Sequence, residues 1–131
     1  MKAETTLNHI ALECSDKGKA EIFFTKILGM QKAKSFTLSE DLADSIFGIK
    51  RRVEIDVYDN GMSRIEVFIT GSSKEAGYEH ACIEIRDKKG FVADCRKYDI
   101  EPIVIKKEGK DLLFVKDFSN NLFEVKEKQL S

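Results

Sequence analysis

Two histidines are all the chain has, and each stands at the head of an apolar segment: His9 opens HIALEC and His80 opens HACIEI. Two glutamates make a second matched pair, Glu66 in RIEV and Glu124 in LFEV. In a strand, successive side chains alternate between faces. His9, Ala11 and Glu13 then oppose Ile10 and Leu12, and Arg64, Glu66 and Phe68 oppose Ile65, Val67 and Ile69. Likewise His80, Cys82 and Glu84 oppose Ala81, Ile83 and Ile85, while Leu122 and Glu124 oppose Phe123 and Val125. The apolar faces suit packing under amphipathic helices, which leaves the histidines and glutamates facing a shared hollow.

Two neutral imidazole nitrogens and two carboxylates suit a divalent cation, the carboxylates balancing its charge. Ni, Co, Zn, Mn and Fe all accept such nitrogen and oxygen donors. A plainer reading stands beside this one. A histidine heading a strand also serves as a half-exposed residue, and a glutamate as the solvent-facing partner of its apolar neighbours. No HxH or HxxxH spacing decides between the two. Joint placement favours the metal, because the histidines occupy corresponding positions of a repeat and so do the glutamates.

That repeat emerges from the elements that must position these residues. The first segment, from His9 to Cys14, leads into a helix capped by Ser15 or Asp16, with Ala20, Phe23, Phe24, Ile27 and Leu28 at helical spacing and Gly29 at its end. A strand over 30–36 follows, and then SEDLADSIFGI, a short helix or lid capped by Ser39. RRVEIDVY and SRIEVFI alternate as strands and meet at Asn60-Gly61, a tight-hairpin signal. After the linker GSSKEAG the order begins again. EHACIEIR is a strand, and Asp87 caps a helix with Phe91, Val92, Cys95 and Tyr98 on one face. Pro102 opens a strand, EGK turns into DLLFVKD, and NNLFEVKEK closes the chain. Both halves therefore read strand–helix–strand–strand–strand. His9 and His80 lie 71 residues apart, but Glu66 and Glu124 only 58. The shortfall is about the length of the segment 39–50, which the first half alone carries.

At 131 residues the chain suits one domain, 1–131. With 22 basic against 23 acidic residues it has neither a nucleic-acid footprint nor a basic membrane patch. The opening MKAETTLNHI lacks the apolar stretch of a secretory signal, and no apolar run reaches membrane-spanning length. Cys14, Cys82 and Cys95 are odd in number and lack CxxC spacing. Reduced, mostly buried thiols in a cytoplasmic protein are expected, with Cys82 a small buried filler. Arg64 is expected in a surface ion pair, and Tyr58 and Phe68 as walls of the hollow or as core.

On these segments the chain resembles the vicinal oxygen chelate superfamily, the glyoxalase/bleomycin-resistance/dioxygenase family of paired βαβββ units. LNHIALECSDKGKAEIFFTKILGM is similar to that family's opening, YEHACIEIRD to its second-half opening, and KDFSNNLFEV to its closing motif; the resemblance covers essentially residues 5 to 128. The resemblance implies an α+β fold of two tandem βαβββ units, 5–70 and 78–128, forming a curved mixed sheet around a metal-binding cavity. It implies His9, Glu66, His80 and Glu124 as ligands of a divalent ion, leaving two positions for a small substrate with adjacent oxygens. The implied enzyme is a metal-dependent lyase or isomerase, like lactoylglutathione lyase or an epimerase, that stabilises an enolate or enediolate. Glu124 is then the favoured base and Glu66 the second candidate, and a homodimer is expected. Alternatives on the same scaffold are a thiol transferase, a dioxygenase, or a metal-free bleomycin-binding type of resistance protein. Phe118 and Asn120 stand where the closing motif usually has Pro and Gly, and Asn120 is expected to take the left-handed turn conformation.

Overall fold

The alternating segments do form strands. The computed structural model describes residues 4–128, so the first and last three residues of the expected domain lie outside it. β1 (Ile10–Cys14), β2 (Gln31–Leu38), β3 (Val53–Asp59) and β4 (Arg64–Ile69) form one sheet in the order β1-β4-β3-β2. β5 (Ala81–Ile85), β6 (Ile103–Lys107), β7 (Lys110–Lys116) and β8 (Leu122–Glu127) form a second in the order β5-β8-β7-β6. β1 runs parallel to β4 and β5 parallel to β8; the remaining pairs are antiparallel. Each half is thus a βαβββ unit with its first and last strands side by side.

Helices cross over each sheet where the sequence places caps. Asp16 accepts the Lys19 N–H at 2.8 Å and opens α1 (Lys17–Glu21), which continues as a π-helical turn over Ile22–Ile27. Asp87 accepts the Gly90 N–H at 3.0 Å and opens α3 (Lys88–Lys97). The expected lid is α2 (Glu40–Phe47), capped by Ser39 and closed by Gly48 at φ 71°. The spacing of Phe23, Phe24 and Ile27 fits a π-helix as well as an α-helix. Backbone bonding, such as the Leu28 N–H donating five residues back to the Phe23 carbonyl at 3.0 Å, distinguishes them.

The two halves share one core. Phe23 and Phe24 have no exposed surface, and their rings meet Phe123 of the second half at 5.4 and 6.4 Å. Burial of each such ring contributes about 2–3 kcal/mol. Tyr58 belongs to this core and not to the hollow: it pairs with Ile65 on the helix side of the sheet and stacks on Phe24 at 5.1 Å. Burial first, and then the nearby Asp56 charge, raise its phenol above the ordinary range.

The DFSNN motif joins the halves. Asp117 accepts the N–H groups of Ser119 and Asn121, at 2.9 and 2.8 Å, and Asn120 adopts φ 67°, the left-handed turn expected of it. From that turn, Asn121 Nδ2 donates to the Glu13 carbonyl at 2.9 Å and Ser119 Oγ accepts the Ser15 N–H at 2.9 Å. The end of β1 is therefore held by the β7–β8 turn.

Some boundaries move. RRVEIDVY enters its ladder only at Val53, leaving Arg51 and Arg52 ahead of it, and Pro102 precedes β6. The Asn60-Gly61 hairpin is wider than a two-residue turn, because Asp59 pairs with Arg64 and Asn60 Oδ1 accepts the N–H groups of Met62 and Ser63. No helix among the described residues is long and apolar enough to cross a membrane.

Candidate metal centre

Parallel pairing sets the site residues side by side. Ala11 stands level with Glu66, which puts His9 just ahead of β1 within reach of the β4 carboxylate. Cys82 stands level with Glu124, which does the same for His80 and β8. The His9 Nε2 lies 3.5 Å from Glu66 Oε2, and the His80 Nε2 lies 3.8 Å from Glu124 Oε1. All four side chains keep contact with solvent, the imidazoles at 37% and 41% and the carboxylates at 21% and 20%.

Each ring is anchored by its other nitrogen. His9 Nδ1 lies 2.8 Å from Asn8 Oδ1 and His80 Nδ1 lies 2.9 Å from the Tyr78 carbonyl. Both oxygens only accept, so in each neutral ring the proton sits on Nδ1 and the Nε2 lone pair faces the glutamate. A ring held in this way through Nδ1 is prepared to bind a cation through Nε2. The residues fit a divalent ion on donor type and ring orientation alike. Sequence reading missed Asn8 and the Tyr78 carbonyl, although a polar side chain directly ahead of a strand-leading histidine was a signal for the first.

The structure brings the four together two by two. Among the described residues no group of three or more His, Cys, Asp or Glu side chains is close enough to hold an ion. His9 and His80 do border one cleft of about 820 Å³, whose walls include β1, β5 and linker residues 72–74.

The neighbouring residues sort as follows. Arg64 is in the expected ion pair, its Nε 2.8 Å from Asp59 Oδ2. Cys82 is exposed, not a buried filler, because its side chain shares the open face of β5 with His80. Cys14 and Cys95 are buried as expected. Burial first, and then the Asp117 charge, push the Cys14 thiol up to about 12. Burial and Asp94 push Cys95 up to about 11. Glu13 and Phe68 form the next pair along the Glu66 face.

No protein-family model matches the chain. Human mitochondrial methylmalonyl-CoA epimerase is 27% identical over 128 residues, covering 92% of this chain and 73% of the relative. Among solved structures, a glyoxalase family protein from Bacillus cereus superposes with a TM-score of 0.76 at 19% identity, covering 96% of this chain and 95% of that one. A variant of the fosfomycin resistance protein FosX from Listeria monocytogenes, complexed with Mn(II) and 1S,2S-dihydroxypropylphosphonic acid, gives 0.73 at 17% identity, covering 98% and 94%. The paired βαβββ units and this shared architecture give the chain the glyoxalase-like α+β fold, and in sequence it is similar to an epimerase.

Proposed function

We propose that the chain is a metal-dependent glyoxalase-like enzyme, an isomerase or lyase that moves a proton at the carbon beside a carbonyl of a small substrate with neighbouring oxygens. One observation carries this reading: the two half-sites repeat the same construction, an imidazole anchored through Nδ1 with its Nε2 facing a glutamate. His9, Glu66, His80 and Glu124 would hold a divalent ion. When bound, that ion supplies Lewis acidity to a substrate oxygen. Glu124 acts as the base that takes the proton, being accessible yet only partly solvated, and Glu66 is the second candidate. Epimerase-type chemistry is favoured over a lyase because the sequence relative is an epimerase.

The active form in this proposal is a homodimer. The two half-sites do not gather within one chain. A second copy would set the His80/Glu124 pair of one chain against the His9/Glu66 pair of the other.

Solvent exchange tests the chemistry. Protein stripped with chelator and reloaded with Mn²⁺, Co²⁺ or Ni²⁺ is incubated in D₂O with methylmalonyl-CoA, and deuterium at C2 is followed by NMR. Metal-dependent exchange above the chelator control is expected. Glu124→Gln should lower it about a hundredfold or more at equal metal occupancy, while Glu66→Gln keeps metal and part of the rate. The reverse ranking makes Glu66 the base, and no exchange with any of the three metals overturns the epimerase reading.

A further inference from the structure

Next to the His9/Glu66 half-site lies a second cavity, of about 430 Å³, between α2 and the open face of the first sheet. It is contiguous with the half-site. Ala11, level with Glu66, is one of its walls, and Glu13 and Phe68, the next pair on that face, are two more. Two residues along a strand amount to about 7 Å. A molecule reacting between the half-site ligands therefore has its far end within reach of this cavity.

The cavity has two characters. One side is apolar: the Phe47 ring of α2 meets the Phe68 ring edge-to-face at 5.5 Å, and Ile49 stands beside them. The other side carries Arg51 and Arg52, which end the run Lys50-Arg51-Arg52 between α2 and β3. Arg64 and Arg96 each hold a carboxylate, at 2.8 and 2.9 Å, but neither Arg51 nor Arg52 has one within 4.0 Å among the described residues. Glu13 on the opposite wall offsets one of the two cations. The lining keeps a net positive charge and one acceptor for a hydroxyl or amide donor. Guanidinium forks bind phosphate and carboxylate oxygens two at a time, with more geometric selectivity than an ammonium. The volume is that of a small-molecule site.

We infer that this cavity binds the end of the substrate remote from the reacting carbon, an organic anion with an apolar body. Its phosphate, phosphonate or carboxylate lies on Arg51 and Arg52, and its body lies between Phe47 and Phe68. The assignment rests on the proposed function for the word substrate, but the site itself requires no metal. α2 is the adjustable wall. Its one buried residue is Ala43, while Leu42 and Ile46 stay 53% and 60% exposed. The helix can settle onto a ligand without breaking a packed core.

The test uses the full chain in the presence of chelator, titrated with phenyl phosphate, benzoate, benzyl alcohol and inorganic phosphate. Binding is read as heat and as shifts of the amide resonances of residues 47–53 and 68. At least one aromatic anion should bind tenfold or more tightly than either benzyl alcohol or inorganic phosphate, and which anion it is distinguishes a phosphate from a carboxylate end. Arg51→Gln with Arg52→Gln should remove that advantage and leave the unfolding temperature and the benzyl alcohol affinity unchanged. Phe47→Ala should bring the aromatic anion down to the level of inorganic phosphate. Anions that bind no better than benzyl alcohol, or an arginine double variant that binds them as well as the wild type, would overturn the inference. Mn²⁺ affinity of the same proteins separates the two readings. Lost anion binding with intact Mn²⁺ binding removes only this inference, and the opposite result removes only the proposed metal chemistry.

Discussion

Ser35 and Asp56 face each other across the β2–β3 ladder, and the Ser35 hydroxyl donates at 2.6 Å to a carboxylate that solvent does not reach. Lys17 adds a second donor at 3.0 Å, and the Lys32 ammonium stands 3.7 Å from the other oxygen. Burial alone would raise this carboxyl, but the Ser35 and Lys17 hydrogen bonds and the two lysine charges outweigh it and hold the group below its ordinary value of 3.8. A folded-state value below the unfolded one gives stability that is complete above the ordinary carboxylate range and disappears as pH falls toward the lower, folded value. Asp56→Asn is therefore expected to lower stability by about 2 kcal/mol at pH 7, with the gap from wild type closing below about pH 4. Urea unfolding at pH 7, 5 and 3 measures it, and a gap that ignores pH would mean the charge is not what matters.

Two helix glycines should respond to alanine with opposite signs. At Gly18 an added methyl meets only Asp16 Oδ1, at an ordinary 3.4 Å, whereas at Gly90 it would overlap the Asp87 carboxylate that caps α3. Gly18→Ala should then gain about 0.5–1 kcal/mol from the lower entropy of the unfolded chain. Gly90→Ala should lose about 1 kcal/mol by displacing the cap. Equal and favourable shifts in denaturation midpoint would show that the cap contributes nothing.

The three thiols should separate cleanly. Cys82 is exposed, whereas Cys14 and Cys95 are buried with thiols pushed up to about 12 and 11, so almost none of either is thiolate at pH 8. Iodoacetamide at pH 8 is expected to modify one cysteine per folded chain, at Cys82, and all three after denaturation. Labelling of Cys14 in native protein would contradict the closed β1 end.

Division of the metal site between chains is tested by complementation. A His9→Ala/Glu66→Ala chain and a His80→Ala/Glu124→Ala chain each lack half a site, and neither alone should gain unfolding temperature with Mn²⁺. Co-refolded, they form a mixed dimer with one intact site, so Mn²⁺ stabilisation should return in the mixture. Its absence, or a wild type that sediments as a monomer at micromolar concentration, would remove the dimer from the proposal.

The pairs His9/Glu66 and His80/Glu124 were legible because alternation with Ile10, Leu12, Ile65, Val67, Ile83 and Val125 leaves only one face for them, and the repeat then aligns the two halves. Their separation within a chain was not legible, since it depends on how β1 meets a turn 108 residues later. RRVEIDVY reads as an alternating strand with Tyr58 in the wall of the hollow or in the core, but the charged Asp56 is fully buried on the same face as Tyr58. Lys17 reaching over from α1 makes that possible for Asp56, and nothing local to β3 announces it. Arg51 and Arg52 read as the start of a strand, and only the three-dimensional fold shows them lining a cavity with no ion-pair partner among the described residues.

The hold that Asn121 keeps on Glu13 also orders events in time. A chain made from its N-terminus exposes β1 long before its clasp exists, and the rings of Phe23 and Phe24 wait as long for Phe123. Contacts this distant in sequence close late and slow folding. During synthesis the first half is thus a sticky, half-covered intermediate until Asn121 and Phe123 emerge, and its yield depends on what shields it in that interval.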